Sequence, residues 1–328
     1  MFKKYTIFGV IFLNVMLLNG LSAHSIVFIH IGTPLPDYFF DALDQALLFN
    51  DCPVYLIANK HAIAKSKCSK IKNQNFHTIE IESLVQSKSH STYLANSSLL
   101  KKHDTHFWLY ASERFFYLDE FMEEYNIEDV YHLEYDNMLY VDLSHLLPIF
   151  KNNYSGIAAI FDNDNRCIPG FVYVANKNVM HKLADYFSVK AAQGLNDMEL
   201  IADFKNHNSF IVIDGLPIIM NDYIAEYGLK SPHGHTTRRP PAYCNKIDLF
   251  NSIFDAAALG QFLGGIHTDP VPGFINETCL FNPSLLTYEW IKDGQGRLVP
   301  FALFKDTKYR INNLHIHSKQ LKKFSSIK

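Results

Sequence analysis

Two short, nearly continuous apolar runs, Ser25–Ile31 (SIVFIHI) and Val54–Ala58 (VYLIA), constrain the fold of this chain more than any other feature. Both have strand length and are rich in β-branched or aromatic residues. Neither alternates with polar residues as a strand half in water would. Strands of this kind are buried on both faces, which requires covering helices. Between them, Asp37–Asn50 places Phe40, Leu43, Leu47 and Leu48 on one helical face, and Asp51 with Pro53 ends the periodic stretch. Strand, helix and buried strand make a βαβ unit, which predicts an α/β fold with parallel strands. A third strand is expected at Phe76–Ile81. Gly32 and two prolines follow the first strand in place of GxGxxG, so the dinucleotide fingerprint is missing.

The 328 residues are 48% hydrophobic, enough for a sizeable core, and their formal net charge of −3 argues against a nucleic-acid-binding surface. Residues 1–23 differ in kind. Lys3 and Lys4 precede an apolar run, Tyr5–Leu21, and Ser22 and Ala23 supply small residues at the expected cleavage position. This reads as a secretory signal peptide, with an uncleaved signal anchor as the alternative. Export to a periplasm, to the medium or to the ER or Golgi lumen is expected accordingly, with membrane attachment only through residues 5–21. The five cysteines contain no CxxC pair, which argues against a thiolate zinc site. An exported chain has the option of pairing two or four of them.

The chemistry-bearing stretch is Asp129–Tyr140, in which a buried strand, Val130–Leu133, runs out into Glu134 and Asp136. Alternation places both carboxylates on the same side of an extended chain. The end of a strand in an α/β sheet is where such sheets bind ligands. Two carboxylates there suit a divalent metal and a phosphate-bearing ligand. Ser112 reads as a helix N-cap with Arg114 in the first turn, and that helix leads into the strand, which places Arg114 near the same sheet edge. Strands are expected at Tyr154–Phe161 and at Pro169–Ala175, with Gly170 at the start of the latter. Phe210–Ile213 reads as a strand or buried run. Asn196 caps a helix that begins with Asp197, and Phe250–Leu263 reads as a helix with Asp255 in its first turn and Gly264 and Gly265 at its end. In an extended chain His315, His317 and Lys319 face one way. Two imidazoles and an ammonium are costly to bury in apolar surroundings and make sense facing a metal and an anion. A hard divalent ion takes carboxylates and one imidazole, here Glu134, Asp136 and one of His315 and His317.

In order and spacing these motifs resemble the GT-A superfamily of nucleotide-sugar-dependent glycosyltransferases, over roughly residues 25–319. Glu134-Tyr135-Asp136 resembles the DxD motif that binds Mn²⁺ or Mg²⁺ and the donor diphosphate. Gly170 resembles the glycine of the loop that passes close to the donor sugar. Asn196-Asp197 resembles the xED position of the catalytic base. His315 and His317 resemble the C-terminal histidine of the metal shell, with Lys319 on the diphosphate, and Arg114 resembles the donor-binding arginine. Two positions depart from the pattern: Glu134 stands where the motif has Asp, and the xED position reads Asn-Asp, with Glu199 two residues on.

The resemblance implies a GT-A-like Rossmann-type mixed sheet flanked by helices. It implies a single catalytic domain over residues 24–328, with a donor-binding part at about 24–205 and an acceptor-side part at about 206–328. The implied ligands are Mn²⁺ or Mg²⁺, a nucleoside-diphosphate sugar as donor, and a glycan, glycoprotein or glycolipid as acceptor. Asp197 is the first choice for the base, or for orienting the sugar if the anomeric configuration is retained, and Asp255 is the second. Gln261, Gly264 and Gly265 are expected to shape the acceptor side. Two rival readings are a non-catalytic carbohydrate- or nucleotide-sugar-binding protein on the same fold and an exported metal-dependent hydrolase. The hydrolase needs more convergent ligands than the sequence offers.

Overall fold

The computed structural model describes residues 24–103, 105–208 and 213–327. The expected signal segment and residues 210–212 of the run ending at Ile213 lie outside the described residues. The strands are β1 (Ser25–His30), β2 (Val54–Ala58), β3 (Phe76–Glu80), β4 (Val130–Leu133), β5 (Asn137–Leu139), β6 (Ile157–Asn163), β7 (Arg166–Val174), β8 (Ile213–Gly215), β9 (Ser252–Ile253), β10 (Thr287–Lys292), β11 (Leu298–Phe304), β12 (Thr307–Ile311) and β13 (Asn313–His315). The helices that matter are α1 (Tyr38–Phe49), α2 (Lys88–Asn96), α3 (Phe107–Glu124), α4 (Leu143–Asn153), α5 (Lys177–Lys190), α6 (Asp197–His207) and α7 (Leu259–Gly264). No helix among the described residues is long and apolar enough to cross a membrane.

The main sheet has seven strands in the order β3-β2-β1-β4-β7-β6-β8. β3, β2, β1 and β4 run parallel, β7 runs antiparallel to both β4 and β6, and β8 is parallel to β6. The expected mixed α/β sheet is therefore present, and through β8 it extends past residue 205. Two further sheets complete the chain: β10-β11-β12-β9, and a two-stranded ribbon of β13 with β5.

The apolar runs are buried on both faces because helices cover both. Phe28 of β1 meets Phe39 of α1, and Tyr131 of β4 meets Phe150 of α4. On the other face, Tyr55 of β2 meets Phe121 and His132 of β4 meets Phe115, both from α3. Phe150 also contacts Phe171, Tyr173, Phe250 and Phe254, so truncating it to Ala is expected to cost about 3–5 kcal/mol.

Three local expectations are corrected. Ser112 is not a cap: α3 begins five residues earlier, at Phe107, and the Ser112 hydroxyl donates to the Trp108 carbonyl one turn back. The aromatic residues at Phe107 and Trp108 extend the helix towards the N-terminus, and Arg114 consequently sits well inside it. Phe250–Leu263 is not one helix either. Asn251 takes a left-handed φ of 47°, and Ser252 and Ile253 then pair with β12 before α7 starts at Leu259. All five cysteines are buried, free thiols rather than pairs.

A buried ionic knot joins α2 to α3. His90, with no exposed surface, places Nδ1 2.9 Å from Glu120 Oε1 and Nε2 3.2 Å from Glu113 Oε1. Burial alone would lower its pKa, but the two carboxylates outweigh it and raise the imidazole to about 9. Its folded pKa thus lies above the unfolded value of 6.5. The proton-linked stability is present in full below 6.5 and is lost as pH rises through about 9. His90→Leu should lower the unfolding free energy at about pH 6 by about 3 kcal/mol, the cost of stranding buried carboxylates. Urea unfolding at about pH 6 and again above about pH 9 should show the gap to the unsubstituted chain narrowing; an equal gap at both would refute the imidazolium.

Candidate active site

β4 lies at the middle of the main sheet with all four of its residues buried. Its apolar run stops at Leu133, and the chain turns over Glu134, Tyr135 and Asp136, closed by the Asn137 N–H donating to the Glu134 carbonyl at 3.0 Å. The two carboxylates converge through this turn, not through alternation along an extended strand. The turn delivers the chain into β5, which pairs antiparallel with β13 so that Asn137 faces His315. The Ile316 N–H then donates to the Asp136 carbonyl at 2.8 Å.

That register decides the site. His315 Nε2 comes to 3.3 Å from Glu134 Oε2 and 3.2 Å from Asp136 Oδ2. Lys319 donates from Nζ to Asp136. From α3, Arg114 reaches Glu134 Oε1 with Nη1 at 2.5 Å and Asp197 Oδ2 with Nη2 at 2.6 Å. Asp197 opens α6 behind a capping box: Asn196 accepts from the Glu199 N–H, and Glu199 accepts from the Asn196 N–H. The cap fixes the first helical turn, and so fixes where Asp197 points.

These groups line a cavity of about 350 Å³ together with Tyr38, Trp108, Tyr110 and Arg166. The sequence reading missed all four of these. Tyr38 was signalled only by following the first strand of an α/β sheet, where ligands bind. Arg166 lies at the end of a turn, and nothing in its neighbours marks it.

Burial opposes every charge here, and the pairs decide the outcome. His315 and Lys319 hold the Asp136 carboxyl well below the usual carboxylate range despite its burial. Arg114 and then His315 lower the Glu134 carboxyl against its burial. Burial dominates at Asp197 and pushes its carboxyl up, with Arg114 pulling the other way. Asp136 raises the His315 imidazole against its burial. Burial and the neighbouring His315 push His317 down to about 3, so it is neutral.

Glu134, Asp136 and His315 each offer a ligand atom, all within 4.8 Å of one another. Two hard oxygens and one imidazole are a donor set that fits a divalent cation such as Mg²⁺ or Mn²⁺. His315 is the histidine brought to the carboxylates. His317 lines the cavity instead, its Nδ1 2.9 Å from Gln261 Nε2.

Two sequence assignments land elsewhere. Gly170 lies in β7, not in a loop, and a Cβ there would stand 2.5 Å from Asn137 Nδ2 and 3.0 Å from His315 Nδ1. The absent side chain leaves room for Asn137 and the histidine. Asp255 is fully buried outside the cavity and accepts from the N–H groups of Ala258, Leu259, Gly260 and His315 at 2.8–2.9 Å. With its lone pairs so occupied it anchors α7 and β13 and makes no contact with the cavity. Gly264 packs against Phe324 and Gly265 takes a φ of 72° at the end of α7, and neither is among the residues that line the cavity.

No protein-family model matches the chain, and no curated protein matches it in sequence. Among solved structures the chain is similar to mouse xyloside xylosyltransferase 1 in its apo form, with a TM-score of 0.41 and 10% identity over 68% of this chain and 94% of that one. It is also similar to the PaToxG glycosyltransferase, with a TM-score of 0.37 and 13% identity over 56% of this chain and 69% of that one. For the galactosyltransferase LgtC with donor and acceptor sugar analogues, the TM-score is 0.31 and the identity 11%, over 58% of this chain and 73% of that one.

The glycine gap beside His315 is testable. Gly170→Ala should leave the chain folded at a cost of about 1–3 kcal/mol. It should weaken Mn²⁺ binding, followed by calorimetry, by about 10–100-fold through displacement of His315. Unchanged Mn²⁺ affinity would show that the gap does not position the histidine.

Proposed function

We propose that this chain is a metal-dependent glycosyltransferase that moves a sugar from a nucleoside-diphosphate donor to an acceptor hydroxyl. One observation carries the reading. Glu134, Asp136 and His315 converge on the wall of a cavity that also holds Arg114, Asp197 and Lys319. In such a transfer the bond from the anomeric carbon to the diphosphate oxygen breaks and one to the acceptor oxygen forms. The electron pair leaves on the diphosphate, and the acceptor loses a proton.

Mn²⁺ or Mg²⁺ held by Glu134, Asp136 and His315 would supply charge neutralisation for the leaving group. Lys319 adds a point charge on the same side. Arg114 has both terminal nitrogens engaged by Glu134 and Asp197, so its part is to hold those two carboxylates apart and oriented. Asp197 Oδ1 is buried without a hydrogen-bond partner, which suits either of two tasks. In an inverting route it accepts the acceptor proton; in a retaining route it orients the sugar. The anomeric configuration of the product separates the two.

One observation favours a second reading, a nucleotide-sugar-binding protein without turnover: Arg114 Nη2 already occupies Asp197 Oδ2 at 2.6 Å, so one of the two oxygens of the candidate base is taken. Mn²⁺-dependent donor hydrolysis distinguishes a transferase from such a binder. The proposal also includes export through residues 1–23, which cell fractionation of the full chain tests.

A thermal-shift screen of UDP- and GDP-sugars with and without Mn²⁺ should find a donor that raises the melting temperature only with the metal. Asp136→Ala should abolish that metal-dependent shift while the variant stays folded. A shift of undiminished size in Asp136→Ala would sink the metal assignment. Asp197→Asn should lower turnover by about 10²–10⁴-fold with donor affinity nearly unchanged, and near-normal turnover would remove Asp197 from both tasks.

A further inference from the structure

We infer that the chain carries a second ligand site, a groove for an acidic saccharide, at the end of the main sheet away from the cavity. The cavity gathers at the C-terminal ends of β1 and β4, whereas this groove forms where β2 and β3 begin. Its volume is about 650 Å³, and Asn73 and Gln74 before β3, Gln295 in the turn before β11, and Arg310 of β12 are among its walls. Lys72, His145, Arg297, Asp51 and Asp142 also line it.

Several of the charged groups in the groove already have hydrogen-bond or ion-pair partners. Arg297 pairs with Asp293 through Nη2 at 2.7 Å and donates to the Leu48 carbonyl at 3.0 Å. Asp51 accepts from the Asn75 amide at 2.6 Å, and Asp142 caps α4 by accepting from the Ser144 N–H at 2.9 Å. Two cations have no carboxylate partner among the described residues, the exposed Lys72 and the deeper Arg310. Arg310 is half-buried, it donates through Nη2 to the Tyr140 carbonyl, and its Nε is buried without a partner. A guanidinium presents five donors in a fork that matches a phosphate, sulfate or carboxylate group. Removing such a charge from water without an anion is unfavourable, so a groove built around it favours an anionic ligand.

The rest of the wall says what carries that anion. The side-chain amides of Asn73, Gln74 and Gln295 are exposed, and each amide offers both a donor and an acceptor. Hydroxyl-rich ligands need that mixture, because every sugar hydroxyl both gives and takes a hydrogen bond. A bare ion would use Arg310 and Lys72 and leave the amides to water. An acidic sugar uses both sets.

The test is calorimetric titration of the full chain with glucose 6-phosphate, glucuronate, inorganic phosphate and glucose as separate probes. Glucose 6-phosphate or glucuronate should bind at least about 10-fold more tightly than phosphate or glucose, since charge-assisted and neutral hydrogen bonds act together. Arg310→Gln should weaken the acidic sugar about 10-fold or more, while Asp136→Ala should leave it unchanged. If Arg310→Gln does not fold, Gln74→Ala and Lys72→Ala, both at exposed positions, should each weaken the same titration. Binding that survives all of these substitutions overturns the proposal, as does binding lost in Asp136→Ala, phosphate binding as tightly as the sugars, or no binding by either acidic sugar. Loss in Asp136→Ala would assign the ligand to the cavity instead and leave the proposed transferase reading standing.

Discussion

The candidate site depends on the pairing of two three-residue strands. β5 and β13 come from segments 176 residues apart, and neither is long enough to hold a ladder alone. Closing so long a loop has an entropic cost that the ladder's few hydrogen bonds do not cover. What offsets it is burial and a polar lock. Met138, Leu139, Leu314 and Ile316 are 0–1% exposed. Asn313 Nδ2 donates to Asn137 Oδ1 at 2.9 Å, Asn313 Oδ1 accepts from the Asp255 N–H at 3.2 Å, and the Asp255 carboxylate accepts from the His315 N–H. Only with that ribbon in register does His315 face Glu134 and Asp136.

The ribbon alone would assemble an unfavourable group of charges. Glu134, Asp136 and Asp197 meet in one cavity, and like charges at this range repel strongly when desolvated. Arg114 separates Glu134 from Asp197 by binding both, and Lys319 with His315 faces Asp136. Each cation has a different origin: helix α3, the end of β13 and the loop beyond it. The charge balance is therefore a tertiary property. A divalent ion on Glu134, Asp136 and His315 would take over neutralisation that the protein now manages with an imidazole and an ammonium.

Much of the main sheet was legible because full burial leaves a plain mark. The runs Ser25–Ile31, Val54–Ala58 and Val130–Leu133 needed no partner information to read as strands. Asn196 with Glu199 three residues later was legible as a helix start for the same local reason, and the capping box is present. Where the reading failed, the deciding residues lay outside the stretch being read. Ser112 looked like a cap until Phe107 and Trp108 extended the helix ahead of it. Phe250–Leu263 has helical composition, but pairing with β12 takes Ser252 and Ile253 into a sheet. Gly170 suggested a loop near a ligand, and only the approach of Asn137 and His315 explains why no side chain fits. Arg114 was legible as lying near the same sheet edge, but its burial to 8% exposure was not, because the two carboxylates that bind it, Glu134 and Asp197, come from elsewhere in the chain.

Lys319 sharpens the case that this cluster serves a ligand and not the fold alone. The chain reaches it just past β13 with a left-handed φ of 60°. A side chain there costs about 1 kcal/mol or more relative to glycine, which adopts that region freely. A turn needed only to end a strand would favour glycine. Instead the position holds a long cation, over the Tyr38 ring at 5.7 Å from its centroid and bonded to Asp136. Burial of the ammonium works against the ion pair, but the Asp136 carboxylate outweighs it and holds Lys319 above its ordinary range. Lys246 and Lys305 take a similar left-handed φ away from the cavity, so what sets Lys319 apart is its place on the cavity wall, where an anion would meet this ammonium already in position.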